Sequence, residues 1–188
     1  MQHYVEGEVL KSINFQDQPL TKGDYESCRF EACVFSNSDL QFINFIECEF
    51  IDCDFSTANI NQTAFKEVSF TNCKMLGLRF DSCNTFLLEM KFDQCQLNLS
   101  SFYKLSLKGI HFKNCELQEV EFVEADLSKS LFDDCDLNGA VFENTNLEQV
   151  DMHSSFGYNI DPENNNIRKG RFSLEGLPGL LVKYQLKF

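Results

Sequence analysis

The sequence lacks most of what would make it an enzyme, a membrane protein or a metalloprotein. It has no run of eighteen apolar residues, so no membrane-spanning helix is expected. The start, Met1-Gln2-His3-Tyr4-Val5-Glu6-Gly7-Glu8, has neither a basic region nor an apolar one, so no secretory leader is expected and the cytoplasm is the expected compartment. No two of its nine cysteines are spaced C-x-x-C, and only His3, His111 and His153 could complete a zinc set, so no metal site is expected. No nucleophile–base pair and no glycine-rich phosphate loop is visible, so neither a reaction, a cofactor nor a small-molecule substrate is expected. Basic residues are also scarce. Sixteen Lys and Arg face twenty-nine Asp and Glu, a net charge of −13, which argues against nucleic acid as a partner.

What the chain does have is a period of five. Counting in fives from Phe15 to Phe80 meets fourteen apolar or aromatic residues in succession, among them Phe30, Phe35, Phe45, Phe50 and Phe70. The count fails at Thr85, shifts by two, resumes at Leu87 and meets fourteen more through Phe92, Phe112 and Phe132 to Met152. Such a period is neither the 3.6 of a helix nor the 2 of a half-buried strand, and it reads as a solenoid. Two residues before each apolar position stands a small or neutral one, such as Cys33, Ser38, Ala58, Thr63, Cys115 and Thr145. Asp or Asn often lies between the two, as in Ala125-Asp126-Leu127.

On these residues the chain resembles the pentapeptide repeat family over roughly residues 12–153. The resemblance implies an all-β fold, a right-handed quadrilateral β-helix with four five-residue sides per coil, here about seven coils, and a short C-terminal helical cap. Residues 1–11 are then a lead-in, 12–153 the β-helix, and 154–188 a C-terminal loop and cap. Residues twenty apart should stack, and the backbone of each coil should pair with its neighbours at about 4.8 Å. All nine cysteines fall at the inward small position, as small buried hydrophobes. The interior is expected to be filled, with no channel or ligand cavity.

Three features stand outside the repeat. Near Asn84-Thr85-Phe86 two extra residues enter one side. This is either a tolerated bulge or a bump presenting Phe86 and Leu88 to a partner. In the C-terminal stretch Leu174, Leu177, Leu180, Leu181 and Tyr184 share one helical face, followed by Leu186, with Ser173 as a possible cap and Pro178 as an alternative start. These residues either close the solenoid alone or also join two copies into a homodimer, as the resemblance to quinolone-resistance and microcin-immunity members implies. The charge, finally, is segmented. Residues 31–65 hold six acids and no base, whereas residues 66–113 hold seven bases and four acids. Residues 116–151 hold Glu116, Glu119, Glu121, Glu124, Asp126, Asp133, Asp134, Asp136, Glu143, Glu148 and Asp151 against Lys129 alone. That stretch is under two coils, about 9 Å of axis by strand spacing. Its charge density is no lower than that of duplex DNA, one charge per roughly 1.7 Å.

The resemblance implies a non-enzymatic DNA mimic for which DNA gyrase or topoisomerase IV is the partner, with protection from quinolones or gyrase toxins. The alternative is a scaffold of the same fold with another partner.

Overall fold

The computed structural model describes residues 3–187. The strands are β1 (His3–Glu6), β2 (Val9–Lys11), β3 (Gly23–Glu26), β4 (Arg29–Glu31), β5 (Asn44–Ile46), β6 (Glu49–Ile51), β7 (Ala64–Lys66), β8 (Val68–Thr71), β9 (Met90–Asp93), β10 (His111–Lys113), β11 (Leu131–Asp133), β12 (Asp151–Met152) and β13 (Arg171–Phe172). All pair in parallel, in a nine-stranded sheet ordered β2-β4-β6-β8-β9-β10-β11-β12-β13 and a four-stranded sheet ordered β1-β3-β5-β7. The other two sides are joined by single bridges, such as Val34–Asp54–Lys74–Gln96–Glu116–Asp136 on one and Arg79–Ser101–Glu121–Val141 on the other. The result is a four-sided parallel β-helix of about eight turns.

The strands are short because each coil must turn after five residues. At almost every corner one residue has positive φ, in series at Ala32, Asn37, Phe42, Glu47 and Asp52. An L-residue adopts that left-handed conformation at a cost, which coil pairing offsets.

The paired backbone runs beyond residues 12–153 at both ends. Leu10 in β2 stacks in register on Phe30, and β13 pairs with β12. The five-residue count stops at Gly157 and Pro162, which stand where apolar residues are due, yet Ile167 and Phe172 resume it and pack on the core. Stacking therefore tolerates a side without an apolar centre, and the turns number about eight where the repeat alone implies seven.

Inside, aromatic rings stack in columns. Phe30, Phe50, Phe70, Phe92, Phe112 and Phe132 form one, with successive centroids 4.8, 5.2, 5.2, 5.2 and 5.1 Å apart. Phe80, Phe102, Phe122 and Phe142 form a second at 4.6, 5.4 and 5.3 Å. Rings of neighbouring columns meet edge to face, as Phe102 and Phe112 do at 79°. Both geometries suit the ring quadrupole and add to burial.

The small position does more than fit. Its side chain donates to the carbonyl of the residue twenty-three earlier: Thr63 Oγ1 to Leu40 O at 2.7 Å, Thr145 Oγ1 to Phe122 O at 2.8 Å, Ser155 Oγ to Phe132 O at 2.8 Å. The thiols of Cys53, Cys73, Cys115 and Cys135 do the same at 3.4 to 3.7 Å. Cys, Ser and Thr interchange there because each brings one short donor to one buried acceptor. All nine cysteines are buried and unbridged. Burial pushes the Cys48 thiol up to about 12 and raises that of Cys83 as well, so both stay protonated.

Candidate functional site: the acidic coils, the inserted bulge and the cap

None of the eleven acids of residues 116–151 is buried; Glu116, Glu119, Glu124, Asp134 and Glu143 are exposed. They stand at the outward positions between the inward-facing small and apolar residues. Pairing register distributes them around the rod: Glu116 lies beside Asp136 on one side, Glu121 beside Val141 on the next, Asp126 beside Asn146 on the third. Asp133 and Asp151 belong to the nine-stranded sheet.

Counted along the sequence, Lys129 is the one base in that stretch. Folding adds others, because coils above and below contribute partners. Lys104 reaches Glu124 at 3.3 Å, and Arg171 reaches Asp151 at 2.6 Å. Glu121 accepts from Ser101 Oγ at 2.7 Å, and Asp126 from Asn146 Nδ2 at 2.9 Å. Burial raises the Asp136 carboxyl, but hydrogen bonds from Gln118 and Asn138 outweigh it and hold the group below its ordinary value. The acidic belt is thus real and outward, but partly neutralised by neighbours that a reading of residues 116–151 alone does not include.

The inserted pair lies between Asn84, which bridges Ala64, and Met90, which pairs with Val68. Five residues there match three in the coil before. The shifted count places Leu87 inward, but Leu87 is 66% exposed at a left-handed corner, φ 57°. The inserted Leu88 packs on the core in its place. Of the two expected contact residues, Phe86 is therefore displayed, 67% exposed beneath the Lys66 ammonium, and Leu88 is half-buried filler. Below the bulge a groove of about 330 Å³ opens against the next coil.

At the C-terminus the expected single helical face does not form. The α-helix α1 spans Pro178–Leu181, and a 3₁₀ turn follows at Val182–Tyr184. Ser173 does accept a backbone N–H, but from Gly176, ahead of the helix. Leu180 is buried over the last coil, Leu181 is half-buried, and Leu174, Leu177, Tyr184 and Leu186 face out, Leu174 at 81% exposure. Physically, Gly176 and Gly179 bring the segment close enough to enclose Tyr158: a Cβ on the first would collide with the Tyr158 hydroxyl, on the second with the Tyr158 carbonyl. Ile160 N–H donates to Gly179 O at 3.0 Å, and Lys183 binds Asp161 and Glu163 at 3.1 and 2.5 Å. The cap closes the solenoid with Leu180 and leaves the other leucines over.

Among the described residues no group of three or more His, Cys, Asp or Glu is placed to hold a metal ion, and no helix is long and apolar enough to cross a membrane.

Five-residue sides, four to a coil, with a left-handed corner after each, define a pentapeptide-repeat solenoid. The model of the pentapeptide repeat region matches residues 43–122 and 107–174, more than half of the chain, and the protein belongs to that family. No curated protein matches the sequence. Among solved structures, HetL, a pentapeptide repeat protein involved in heterocyst differentiation regulation from the cyanobacterium Nostoc sp. strain PCC 7120, is similar at 14% identity with TM-score 0.51, covering 90% of this chain and 85% of that one. Full-length QnrB1, a plasmid-mediated fluoroquinolone resistance protein, is similar at 17% identity with TM-score 0.46, covering 98% of this chain and 100% of that one. At these identities the likeness concerns the fold.

Proposed function

We propose that this chain is a non-catalytic binding rod whose acidic coils occupy a basic groove built for DNA, that of DNA gyrase or topoisomerase IV being the first to test. The observation that supports this reading is the outward acidic belt of residues 116–151, spread over the sides of the rod. A fixed rod presents charge without ordering cost, and a basic groove would be attracted at long range. In the same proposal two rods join end to end through Leu174, Leu177, Tyr184 and Leu186, apolar groups that the cap leaves exposed beside the acidic coils. Dimerisation would double the acidic length.

The test is binding of the purified protein to gyrase with DNA as competitor. Affinity should fall with salt, since surface charges are screened over about 10 Å at 0.1 M. Reversing Glu116, Glu121, Asp126 and Asp136 to Lys should abolish binding with the fold intact, and reversing Glu47, Glu49 and Asp52 should do less. For assembly, Leu177→Asp with Leu186→Asp should give a folded monomer by light scattering. Leu180 is unsuitable there because it is buried in the cap.

A second reading, a scaffold for another partner, is favoured by the basic residues 66–113 and the short bulge. Absence of gyrase binding by the unmodified protein would leave that reading standing.

A further inference from the structure

The structure assigns Asn138 as a site of spontaneous covalent modification, where the backbone nitrogen of Gly139 attacks the side-chain amide and converts the residue to isoaspartate and aspartate. The assignment does not rest on gyrase or on any partner. Three independent observations converge on this corner.

The first is the sequence. Asn138-Gly139 is the one Asn-Gly pair in the chain. Glycine has no side chain to crowd the approach of its nitrogen to the preceding Cγ, and its backbone is the most permissive. The second is access. Both residues are exposed, at a left-handed corner where Gly139 holds φ at 73°. The third is the backbone. Asn98 stands in the same column two coils earlier, and there the peptide group is pinned at both ends. Asn98 O accepts from Gly77 N–H at 3.0 Å, and Leu99 N–H donates to Gln118 O at 2.9 Å. The peptide between Gln118 and Glu119 is pinned in the same way. Between Asn138 and Gly139 only the carbonyl is held, by Glu119 N–H at 3.0 Å, and Gly139 N–H has no hydrogen-bond partner among the described residues. The carbonyl due to accept from it, that of Tyr158, lies against Gly179 of the cap. Ring closure needs this peptide group to rotate, and one bond restrains it where two restrain its counterparts.

The step balances with water alone. Gly139 N bonds to Asn138 Cγ, the Cγ–Nδ2 bond breaks, and ammonia leaves with the proton that the backbone nitrogen gives up. Water then opens the cyclic imide. Breaking the bond from Cγ to the nitrogen gives aspartate. Breaking the bond from the backbone carbonyl carbon gives isoaspartate, in which the main chain runs through the side chain and gains a methylene. Either product adds a negative charge beside Asp136. At present Asp136 Oδ1 accepts from Asn138 Nδ2 at 2.6 Å and from Asn138 N–H at 3.0 Å, and the amide lies over Gly157. The bond to Asp136 restrains the amide before the reaction. After it, carboxylate would face carboxylate, so the new side chain turns away from Asp136 and uncovers Gly157.

The experiment is storage of the folded full chain at neutral pH and physiological temperature, followed by peptide mapping with mass spectrometry and by labelling with an isoaspartyl methyltransferase. An acid in place of the amide is expected at Asn138 ahead of every other asparagine, with isoaspartate among the products and ammonia released. Asn98-Leu99 is the internal control and should keep its amide. Gly139→Ala should slow the conversion about tenfold or more, because a side chain crowds the attacking nitrogen. The corner accepts that change: Leu99 and Glu119 hold the same conformation at φ 64° and 56°, and a Cβ on Gly139 meets the flexible Glu119 side chain at 3.1 Å. Asp136→Ala should hasten the conversion by freeing the amide. An unchanged melting temperature checks that each variant folds. The assignment is overturned if the folded chain keeps the Asn138 amide, whether or not the urea-unfolded chain loses it. It is equally overturned if Asn98 converts as fast, or if Gly139→Ala converts as fast as the unsubstituted chain.

Discussion

Two neighbouring turns of this rod obey opposite rules. In the coil through Phe112 each side turns its middle residue inward; Phe112 stacks on Phe92 at 5.2 Å and on Phe132 at 5.1 Å. One coil earlier, the side from Asn84 to Glu89 has two residues too many and turns Phe86 and Leu87 out. The backbone ladder is the same on either side of the bulge, with Phe70, Phe92 and Phe112 in unbroken register. The rod therefore treats its core as non-negotiable and sends every irregularity to the surface. Interior packing has no slack for displaced atoms, whereas an exposed loop pays only a small closure entropy.

The sharpest way to break the regular side is to put charge at its small position. Cys115→Asp should abolish the cooperative melt or lower stability severely, because it buries a carboxylate against Phe92 O with no cation nearby. Phe112→Ala should cost about 3–5 kcal/mol in a urea titration, the range for buried aromatics. If Cys115→Asp melts like the unsubstituted protein, the inward register is wrong. Within the same position Thr63→Val keeps the volume but removes the donor to Leu40 O. It should cost about 1–3 kcal/mol, the cost of a buried acceptor left without its partner.

The cap lies between the two regimes, since it must fit the last coil yet has no repeat to follow. Gly179→Ala places a methyl group against the Tyr158 carbonyl, which belongs to backbone and cannot swing away. A loss of about 1–3 kcal/mol is expected, as for other overpacked sites. Near-ultraviolet circular dichroism should show the Tyr158 environment changing with it. An unchanged spectrum and melt would mean that the cap does not close on Tyr158.

Deleting Leu88 and Glu89 and replacing Thr85 by Leu should turn the irregular side into a regular one. The twenty-residue pitch returns, and the new leucine falls where Phe65 lies one coil before. Stability should change by less than about 1 kcal/mol, because loop length is thermodynamically cheap. A large loss of stability would show that the bulge is a structural need of the coil.

The core was legible from the period alone because a five-residue side offers one inward centre and one small companion, and both leave a mark every fifth residue. Phe30, Phe50 and Phe112 stand where counting puts them. Leu87 did not follow, since counting cannot tell which residue of an insertion turns inward; corner geometry decides, and it chose Leu88. The helical face from Leu174 to Tyr184 failed for a related reason. Spacing suggested a helix, but Gly176 and Gly179 are present for close approach to Tyr158, and they limit the helix to Pro178–Leu181. The partners of the acidic residues were hidden as well: Lys104 to Glu124 and Arg171 to Asp151 are about one coil apart in sequence and adjacent only after stacking. The hydrogen bonds from Thr63, Thr145, Ser155 and the thiols of Cys53, Cys73, Cys115 and Cys135 to a carbonyl twenty-three residues back had a signal, the choice of Cys, Ser and Thr over Ala, but volume explained that choice equally well.

The smallest expected effect concerns acid. A hydrogen bond from Lys183 holds the Glu163 carboxyl below its ordinary value, with Tyr184 Oη adding a second, and a backbone N–H from residue 163 does the same for Asp161. A carboxylate whose folded value is depressed contributes stability that is complete above its unfolded value and is lost as pH falls through the folded one. The tie between Lys183 and the final loop should thus be intact at neutral pH and released through the acid end of the carboxylate range. Both carboxyls are solvent-accessible, so screening keeps the contribution small. Hydrogen exchange at Gly179 and Leu180 should quicken on acidification beyond the ordinary pH dependence of exchange, while the amides of Phe112 and Cys115 keep their protection. Lys183→Met should bring the same quickening at neutral pH and weaken the acid dependence, leaving the part that Asp161 owes to the backbone N–H of residue 163. If the cap and the coil around Phe112 lose protection together, the end of the rod is not an independent unit, and the contrast between fitted core and adjustable surface stops short of the cap.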